Sequence, residues 1–444
     1  MPQTLDEQLR PLANAPRLLL KAHLQPLQGT RFQPTGFPNL GAATYENPKN
    51  GDQMLLVESS QSVTNWLERT LFKVFTRDSI SDDLVDEVRG ISYVQIDCGE
   101  SGTTSTLLEA HRLNTPYLWE SADRKALALQ ERILNDLGVA KRRKKKGDSD
   151  DSEKEDDEAS GRIDMRRFYK TLLKYDLNSL IHGVFLEKVA GRLRVPRALC
   201  GFVEASNVKQ AESGGTKFDH VFPAKDEARG VTSKDGFTNV PYPSTHFAAE
   251  SITAYFNLDL NQIRAYGLGR EAEQLLIGLS LYKLARLSES VWDLRSNCKF
   301  EVVSVVITRP PKDFAMPAAK DIAEILPTLI KKVSDSGGFG DDNSNGVRTV
   351  AWAKKKKKFT LELPQGTTEP TVPEELKGSV KWKKGTAKKP PLLELAEKPE
   401  PELLQKLLAL FPANQAAQTA IRMASNDDDQ DGGSSEQVDD TESD

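Results

Sequence analysis

The chain has 444 residues, 38% of them apolar and 28% charged, with a formal net charge of −5. That length holds two or three ordinary domains, or one enlarged by insertions, and the composition is that of a globular protein with polar excursions. Cys98, Cys200 and Cys298 are odd in number and far apart, which gives neither a disulfide framework nor a CxxC metal site and points to a reducing, cytoplasmic setting.

No basic segment followed by an apolar run opens the chain, and no apolar stretch approaches the length of a membrane span, so neither a secretory signal nor a transmembrane helix is expected. The net charge hides an asymmetry. Residues 426–444 carry nine acids and no base, and without them the remainder is +4. Residues 148–158 set eight acids against Lys154, and without that block too the rest is +11. A basic body with detachable acidic segments suits a polyanion binder.

In chain order, 18–24 reads as a first strand, with Leu18, Leu20, Ala22 and Leu24 on one face. Residues 25–50 hold too many prolines and glycines for a regular element. Within them, Arg31-Phe32-Gln33 combines a cation, an aromatic ring and an amide, groups that bind phosphate, stack on a base and bond its edge. Met54 to Val57 leads into a helix running to about Phe72, with Val63, Trp66, Leu67 and Leu71 in one stripe. Gln61, Ser62 and Asn65 share a face near its start, where hydroxyls serve as caps or hold a phosphate.

A strand is expected at 91–96 and a short helix at 105–113, which presents His111 and Arg112 as polar contacts. A longer helix at 122–139 runs into the charge block at 141–158, a polyampholyte that buries no core. A helix at 165–174 precedes an apolar run at 181–186, read as a strand. After it Arg192-Leu193-Arg194-Val195 alternates, so Arg192 and Arg194 share one face, and Arg197 adds a third guanidinium. That pattern fits either an edge strand with solvated charges or a strand that lays a phosphate backbone across a sheet.

Residues 209–245, with Gly214-Gly215-Thr216-Lys217, read as loop or hairpin. A strand at 251–260 and a helix at 270–287, greasy nearly all round, follow. The β-branched run at 300–307 reads as a central strand. Beyond Pro310 the pattern weakens to a helix around 322–333, a hairpin around 347–363 and a last helix at 403–411.

Catalytic constellations are missing. There is no GxxxxGK[ST], no Rossmann glycine triplet, no HExxH and no adjacent His-Asp pair. Asp176 and Asp219 stand without the partner carboxylate of a two-metal nuclease, and His182 lies in an apolar run as a core histidine does. No enzyme activity, cofactor or metal is expected. With the insertions dropped, the order is strand, helix, strand, strand, helix, strand, the split βαβ arrangement of an α+β, ferredoxin-like (RRM-like) fold.

The phrases LQGTRFQPTGFPNLGAATY (27–45), LLVESSQSVTNWLE (55–68), STLLEAHRLNTPYL (105–118), DLNSLIHGVFLEK (176–188), RLRVPRALCGFVEASNV (192–208) and ESITAYFNLDL (250–260) resemble the backbone subunit of type I-U, or I-G, CRISPR-Cas surveillance complexes, within the RAMP superfamily. The resemblance covers about 15–310. The charge block at 141–158 and everything beyond about 311 lie outside it.

It implies an RRM-like palm with inserted finger and thumb elements, in copies stacked along a CRISPR guide RNA whose bases stay free to pair with target DNA. Other Cascade subunits and a recruited helicase-nuclease are the further partners. On matched positions the implied RNA contacts are Arg31, Gln33, Gln61, Ser62, Asn65, His111, Arg112, Arg192, Arg194 and Arg197, with Lys217 at a thumb tip.

The expected domains are a palm at 15–310, a C-terminal extension at 311–425 and a poorly ordered acidic tail at 426–444. The palm carries a loop at 25–50, a helical insertion at 98–175 and a thumb-like loop at 205–245. Two other readings stay open: a RAMP-type endoribonuclease using Asp176 or Asp219, and an acidic-tailed RNA-binding adaptor.

Overall fold

The computed structural model describes residues 10–37, 41–75, 83–139, 163–187, 189, 193–221, 238–309, 314–340, 346–353, 359–373, 376, 380–386, 389–395, 401–412 and 414–426. The charge block at 141–158, Arg192 and the acidic run after Asn426 lie outside them. The chain divides into two compact units, 1–353 and 354–444.

The first unit is built on one seven-stranded sheet. Its strands are β1 (Arg17–Pro26), β2 (Thr44–Glu46), β3 (Gln53–Glu58), β4 (Leu199–Ser206), β7 (Ser251–Asp259), β8 (Trp292–Arg295) and β9 (Cys298–Arg309); β5 (Lys209–Lys217) and β6 (Val240–Ala248) form a separate hairpin between β4 and β7. The sheet order is β8-β9-β1-β7-β4-β3-β2. Its middle, β9-β1-β7-β4, holds the fourth, first, third and second strands of the basic unit, every neighbour antiparallel. That is the expected ferredoxin-like arrangement, widened at both edges.

Period-two patterning fixes the register. Leu18, Leu20, Ala22 and Leu24 of β1 are buried, and they pair with Leu258, Phe256, Ala254 and Ile252 of β7, so apolar side chains meet on one face. Gly201 of β4 is required by a close approach. A Cβ there would lie 2.6 Å from the Phe256 ring and 2.7 Å from the Tyr255 carbonyl oxygen.

Helices cover the buried face. The first is α1 (Ser60–Arg69), capped by Ser59, whose hydroxyl accepts from the Ser62 amide. Next come α2 (Arg124–Leu137), α3 (Met165–Tyr175) and α4 (Asn178–His182). The central helix is α5 (Arg270–Ser288), buried on nearly all sides, and α6 (Leu326–Asp335) packs on its far side through Leu326, Leu329, Ile330 and Val333. Contacts of this kind carry the first unit well past the boundary expected near 310, because without α6 a side of α5 would face water.

Several elements differ from the sequence reading. Residues 178–182 form a helix, and only Val184–Leu186 of the expected strand is extended; a short apolar run does not distinguish the two by periodicity. The expected helix at 105–113 is a series of turns ending in a 3-10 turn at Arg112–Asn114. The Arg194 strand, Leu193–Val195, pairs with Val184–Leu186 in a two-stranded sheet of its own, while β4 takes the place in the main sheet.

The expected hairpin at 347–363 is split between the units. Val347–Ala351 runs parallel to Tyr93–Asp97, and Phe359–Glu362 pairs with Leu392–Leu395. The second unit has its own three-stranded sheet, completed by Val380–Lys383, and two helices, Pro401–Ala409 and Gln415–Asn426. Leu361, Leu393, Leu395, Leu407, Phe411 and Ile421 make its core. Among the described residues no helix is long and apolar enough to cross a membrane.

Under the sheet lies a buried polar network. Lys283 of α5 donates to Asn178 Oδ1 and to His182 Nε2 (2.8 Å) of α4, and Asn178 Nδ2 donates to Glu68 Oε1 of α1 (2.6 Å). Asp176, fully buried beside α4, accepts from the Ser179 hydroxyl at 2.7 Å. Burial pushes the Lys283 ammonium down to about 7 and the Asp176 carboxyl up to about 7, and it holds His182 well below the usual imidazole range.

The signs oppose. Between about 4 and 7 the native Asp176 keeps a proton that the unfolded chain releases, so its contribution to stability falls as pH rises. Between about 7 and 10.4 the unfolded chain binds the lysine proton and the native state does not, so the Lys283 contribution rises with pH. Lys283→Met is therefore expected to flatten the gain in Tm between neutral pH and about 10. Thermal melts across that range check this; a variant curve parallel to the wild type would remove Lys283 from the account.

Candidate nucleic-acid interface

Among the described residues, the face of the sheet opposite the helices is open. In β1 the residues out of phase with the buried leucines are Arg17, Leu19, Lys21 and His23, exposed or half-buried. Register sets Lys21 beside Tyr255 of β7, and Tyr255 beside Phe202 of β4. These three form one row across adjacent strands. The Phe202 and Tyr255 rings stack at 5.2 Å and 21°, and Lys21 Nζ stands 5.2 Å from the centre of the tyrosine ring.

Neighbouring rows are polar. Tyr45 of β2 donates to Glu204 Oε1 at 2.5 Å; burial first, and then this bond, push its phenol up to about 12. Arg17 pairs with Asp259 at 2.7 Å. Half-exposed stacked rings with a cation over one of them are the kind of surface on which a nucleobase or another flat ring stacks.

The expected contacts divide into groups. Arg194 and Arg197 are exposed, and the Arg194 guanidinium lies 5.1 Å from the centre of the exposed Phe185 ring across its small hairpin. Arg31, Gln61, His111 and Lys217 are exposed; Ser62 and Asn65 are half-buried on the α1 face that Gln61 begins. In the Arg-Phe-Gln turn the arginine is exposed, the glutamine half-buried and the phenylalanine buried. Phe32 is 1% exposed and packs edge-on against Phe300 at 5.5 Å, so it stacks in the core and not on a base. Gln33 is tied down, its amide N–H donating to the Asn297 carbonyl at 2.8 Å and its side-chain oxygen accepting from Asn297 Nδ2 at 3.4 Å.

Arg112 is the clear departure. It is buried, donates through Nε and Nη2 to both Glu68 oxygens (2.6 and 2.9 Å), and donates through Nη1 to the Gly183 carbonyl at 3.1 Å. It even adopts a φ of +50°, a strained conformation for arginine that this fork holds in place. Its role is internal.

The thumb-like loop is a long antiparallel hairpin, β5 with β6, whose residues are mostly exposed. Gly214 and Gly215 sit within the ladder opposite Pro243 and Tyr242, so Lys217 and not the glycines lies toward the tip. The tip beyond Val221 is outside the described residues, but at its base Phe218 and Val221 are 70% and 76% exposed. Asp219 organises that base, accepting from the Val221 and Thr238 amides at 2.9 and 3.1 Å.

Lys21, Phe202 and Tyr255 were not among the residues expected from sequence. The signal was there: an aromatic falls on the polar phase of a strand in Leu199-Cys200-Gly201-Phe202 and again in Ile252-Thr253-Ala254-Tyr255.

The first 353 residues are thus an α+β unit on a ferredoxin-like sheet with one open, aromatic face. Residues 18–210, from β1 into the hairpin, match the family described as CRISPR-associated protein GSU0053 (Cas_GSU0053). No curated protein matches it by sequence.

Among solved structures, a chain of a "CRISPR RNA-guided surveillance complex, pre-nicking" aligns at 10% identity and a TM-score of 0.36, over 76% of this chain and 97% of that one. The Thermofilum pendens Csc2 crystal structure aligns at 10% identity and a TM-score of 0.24, over 75% and 81%. Likenesses this distant define neither a ligand nor a partner.

If Arg112 is internal, Arg112→Ala takes the ion-pair partner from the buried Glu68 carboxylate and leaves it only the Asn178 amide, a loss of about 3–5 kcal/mol. Urea unfolding of the variant is the check; an unchanged midpoint would return Arg112 to the list of surface contacts.

Proposed function

We propose that the protein is a non-catalytic backbone subunit that assembles in several copies along the guide RNA of a type I-U (I-G) CRISPR surveillance complex. The supporting observation is the row Lys21–Tyr255–Phe202 on an open sheet face, in a chain whose residues 18–210 match a CRISPR-associated family. In this reading the ring pair receives one displaced base per copy, and Arg31, Arg194 and Arg197 hold the phosphate backbone. The β5–β6 hairpin acts as the thumb that separates that base from its neighbours. The remaining bases pair with target DNA, so pairing and not the protein reads the sequence. Further subunits and a recruited helicase-nuclease complete the assembly, and cleavage belongs to the latter.

The test begins with purification from cells that express the CRISPR array. Co-purifying RNA of one defined length is the expected result; RNA-free protein would sink the proposal.

Two sets of variants separate the roles. Phe202→Ala with Tyr255→Ala removes stacking, for which loss of about 1–3 kcal/mol per base is expected, whatever the sequence. Arg194→Ala with Arg197→Ala should weaken all single-stranded RNAs alike and flatten the salt dependence, whose log–log slope is about −0.7 per phosphate neutralised. Fluorescence anisotropy over a salt series measures both; a change in which sequence is preferred would contradict backbone grip.

A further inference from the structure

Glu204 stands on the same open face as Phe202, two residues further along β4. That places it in the next row, about 6.6 Å from the ring pair along the strand. Its neighbours across the sheet are Thr253 of β7 and Leu56 of β3, neither of them charged. Among the described residues Glu204 meets no cation, and its hydrogen bond is the one that Oε1 accepts from the Tyr45 hydroxyl. The Tyr45 phenol, pushed up to about 12 by burial and then by this bond, keeps its proton and so always donates. Oε1 is thereby fixed, and Oε2 keeps its lone pairs without a donor. The Tyr255 phenol is raised as well, by burial first and then by the Glu204 charge, which sets the carboxylate near the stacking surface.

A carboxylate without a cation is a liability on a face that holds a polyanion, because it repels phosphate. Phosphate is therefore excluded from this row. Base edges carry donors that differ from one base to the next, whereas the ribose 2′-hydroxyl is a donor on every ribonucleotide and is missing from DNA. An acidic side chain is also what dinucleotide-binding folds set against a ribose hydroxyl.

We propose that Glu204, oriented by Tyr45, accepts a hydrogen bond from the 2′-hydroxyl of the nucleotide stacked at Phe202 and Tyr255, and so makes this face select RNA over DNA. The inference rests on the guide-binding reading above and names which polynucleotide the face takes. Selection runs both ways. Ribose gains a charge-assisted bond, whereas a deoxyribose strand passes the carboxylate with nothing to offset the repulsion of its phosphates. The base sequence stays unread, since the hydroxyl is common to every ribonucleotide.

The experiment uses full-length protein stripped of nucleic acid by nuclease and high salt, with three single strands of one sequence: RNA, 2′-fluoro RNA and DNA. Fluorine keeps the RNA-like sugar pucker but cannot donate, so the second strand isolates the hydrogen bond. By fluorescence anisotropy the wild type is expected to bind RNA about tenfold more tightly than either other strand, the effect of one hydrogen bond to a charged group. Glu204→Ala should bring RNA down to the level of 2′-fluoro RNA while binding the other two strands no more weakly than the wild type does. Glu204→Gln keeps an acceptor without the charge and should retain part of the preference; Tyr45→Phe, which releases the carboxylate, should reduce it.

Equal binding of RNA and 2′-fluoro RNA by the wild type would overturn the proposal, and this comparison needs no variant. So would a Glu204→Ala protein that weakens all three strands alike. A Glu204 effect that changes with the base sequence would assign the carboxylate to a base edge and overturn it too. The reading on which the proposal rests fails differently: Phe202→Ala with Tyr255→Ala would bind RNA as tightly as the wild type, and the role of Glu204 would fall with it.

Discussion

A lysine in the middle of a helix that is apolar nearly all round has to be met by polar groups from its neighbours, and the arrangement under the sheet follows from how Lys283 is met. Asn178 and His182 come from α4, Asn178 reaches Glu68 of α1, and Glu68 is closed off by the Arg112 fork. Four segments distant in sequence are thereby fixed against one another by hydrogen bonds whose geometry tolerates little displacement.

The network also reaches the surface. Arg112 donates to the carbonyl of Gly183, where the chain leaves α4 with a φ of +80°. A Cβ at Gly183 would stand 2.6 Å from the Val195 carbonyl oxygen, so the turn closes tightly on the strand that carries Arg194. An internal charge balance thus sets where an exposed guanidinium stands.

Much of the fold was legible because one face of each main-sheet element is buried, which imprints a period. β1, β7 and α5 are read directly from Leu18 to Leu24, Ile252 to Leu258 and Leu275 to Leu287. What period does not encode is which neighbour an element finds. Arg112 and Arg194 look alike in sequence, each beside apolar residues; only the folding of Glu68 against the first makes it internal. The β-branched run of β9 matches a central strand, but its place in the sheet is decided by chain connectivity. The parallel pairing of Val347–Ala351 with Tyr93–Asp97 joins strands too far apart for a local signal. The open-face aromatics were legible in principle, through phase, since an apolar ring on the solvent side of an alternating strand has no packing reason to be there.

The open face itself carries little net charge. Arg17 is matched by Asp259, and Glu204 is occupied by the Tyr45 hydroxyl, leaving Lys21 over its ring. The exposed cations Arg194 and Arg197 lie in and just beyond the small hairpin, and Arg31 lies in the turn after β1. In the proposed function this separates two tasks that are often merged. Long-range attraction comes from the rim and is screened within about 10 Å at ordinary salt, whereas ring stacking on the face is short-ranged and nearly indifferent to salt. The rings already stack on each other, so their orientation is set before a base arrives and little side-chain freedom remains to be lost on binding. In that reading such a surface is expected to grip any sequence with similar strength, because neither phosphate charge nor a π-face distinguishes one nucleotide from the next.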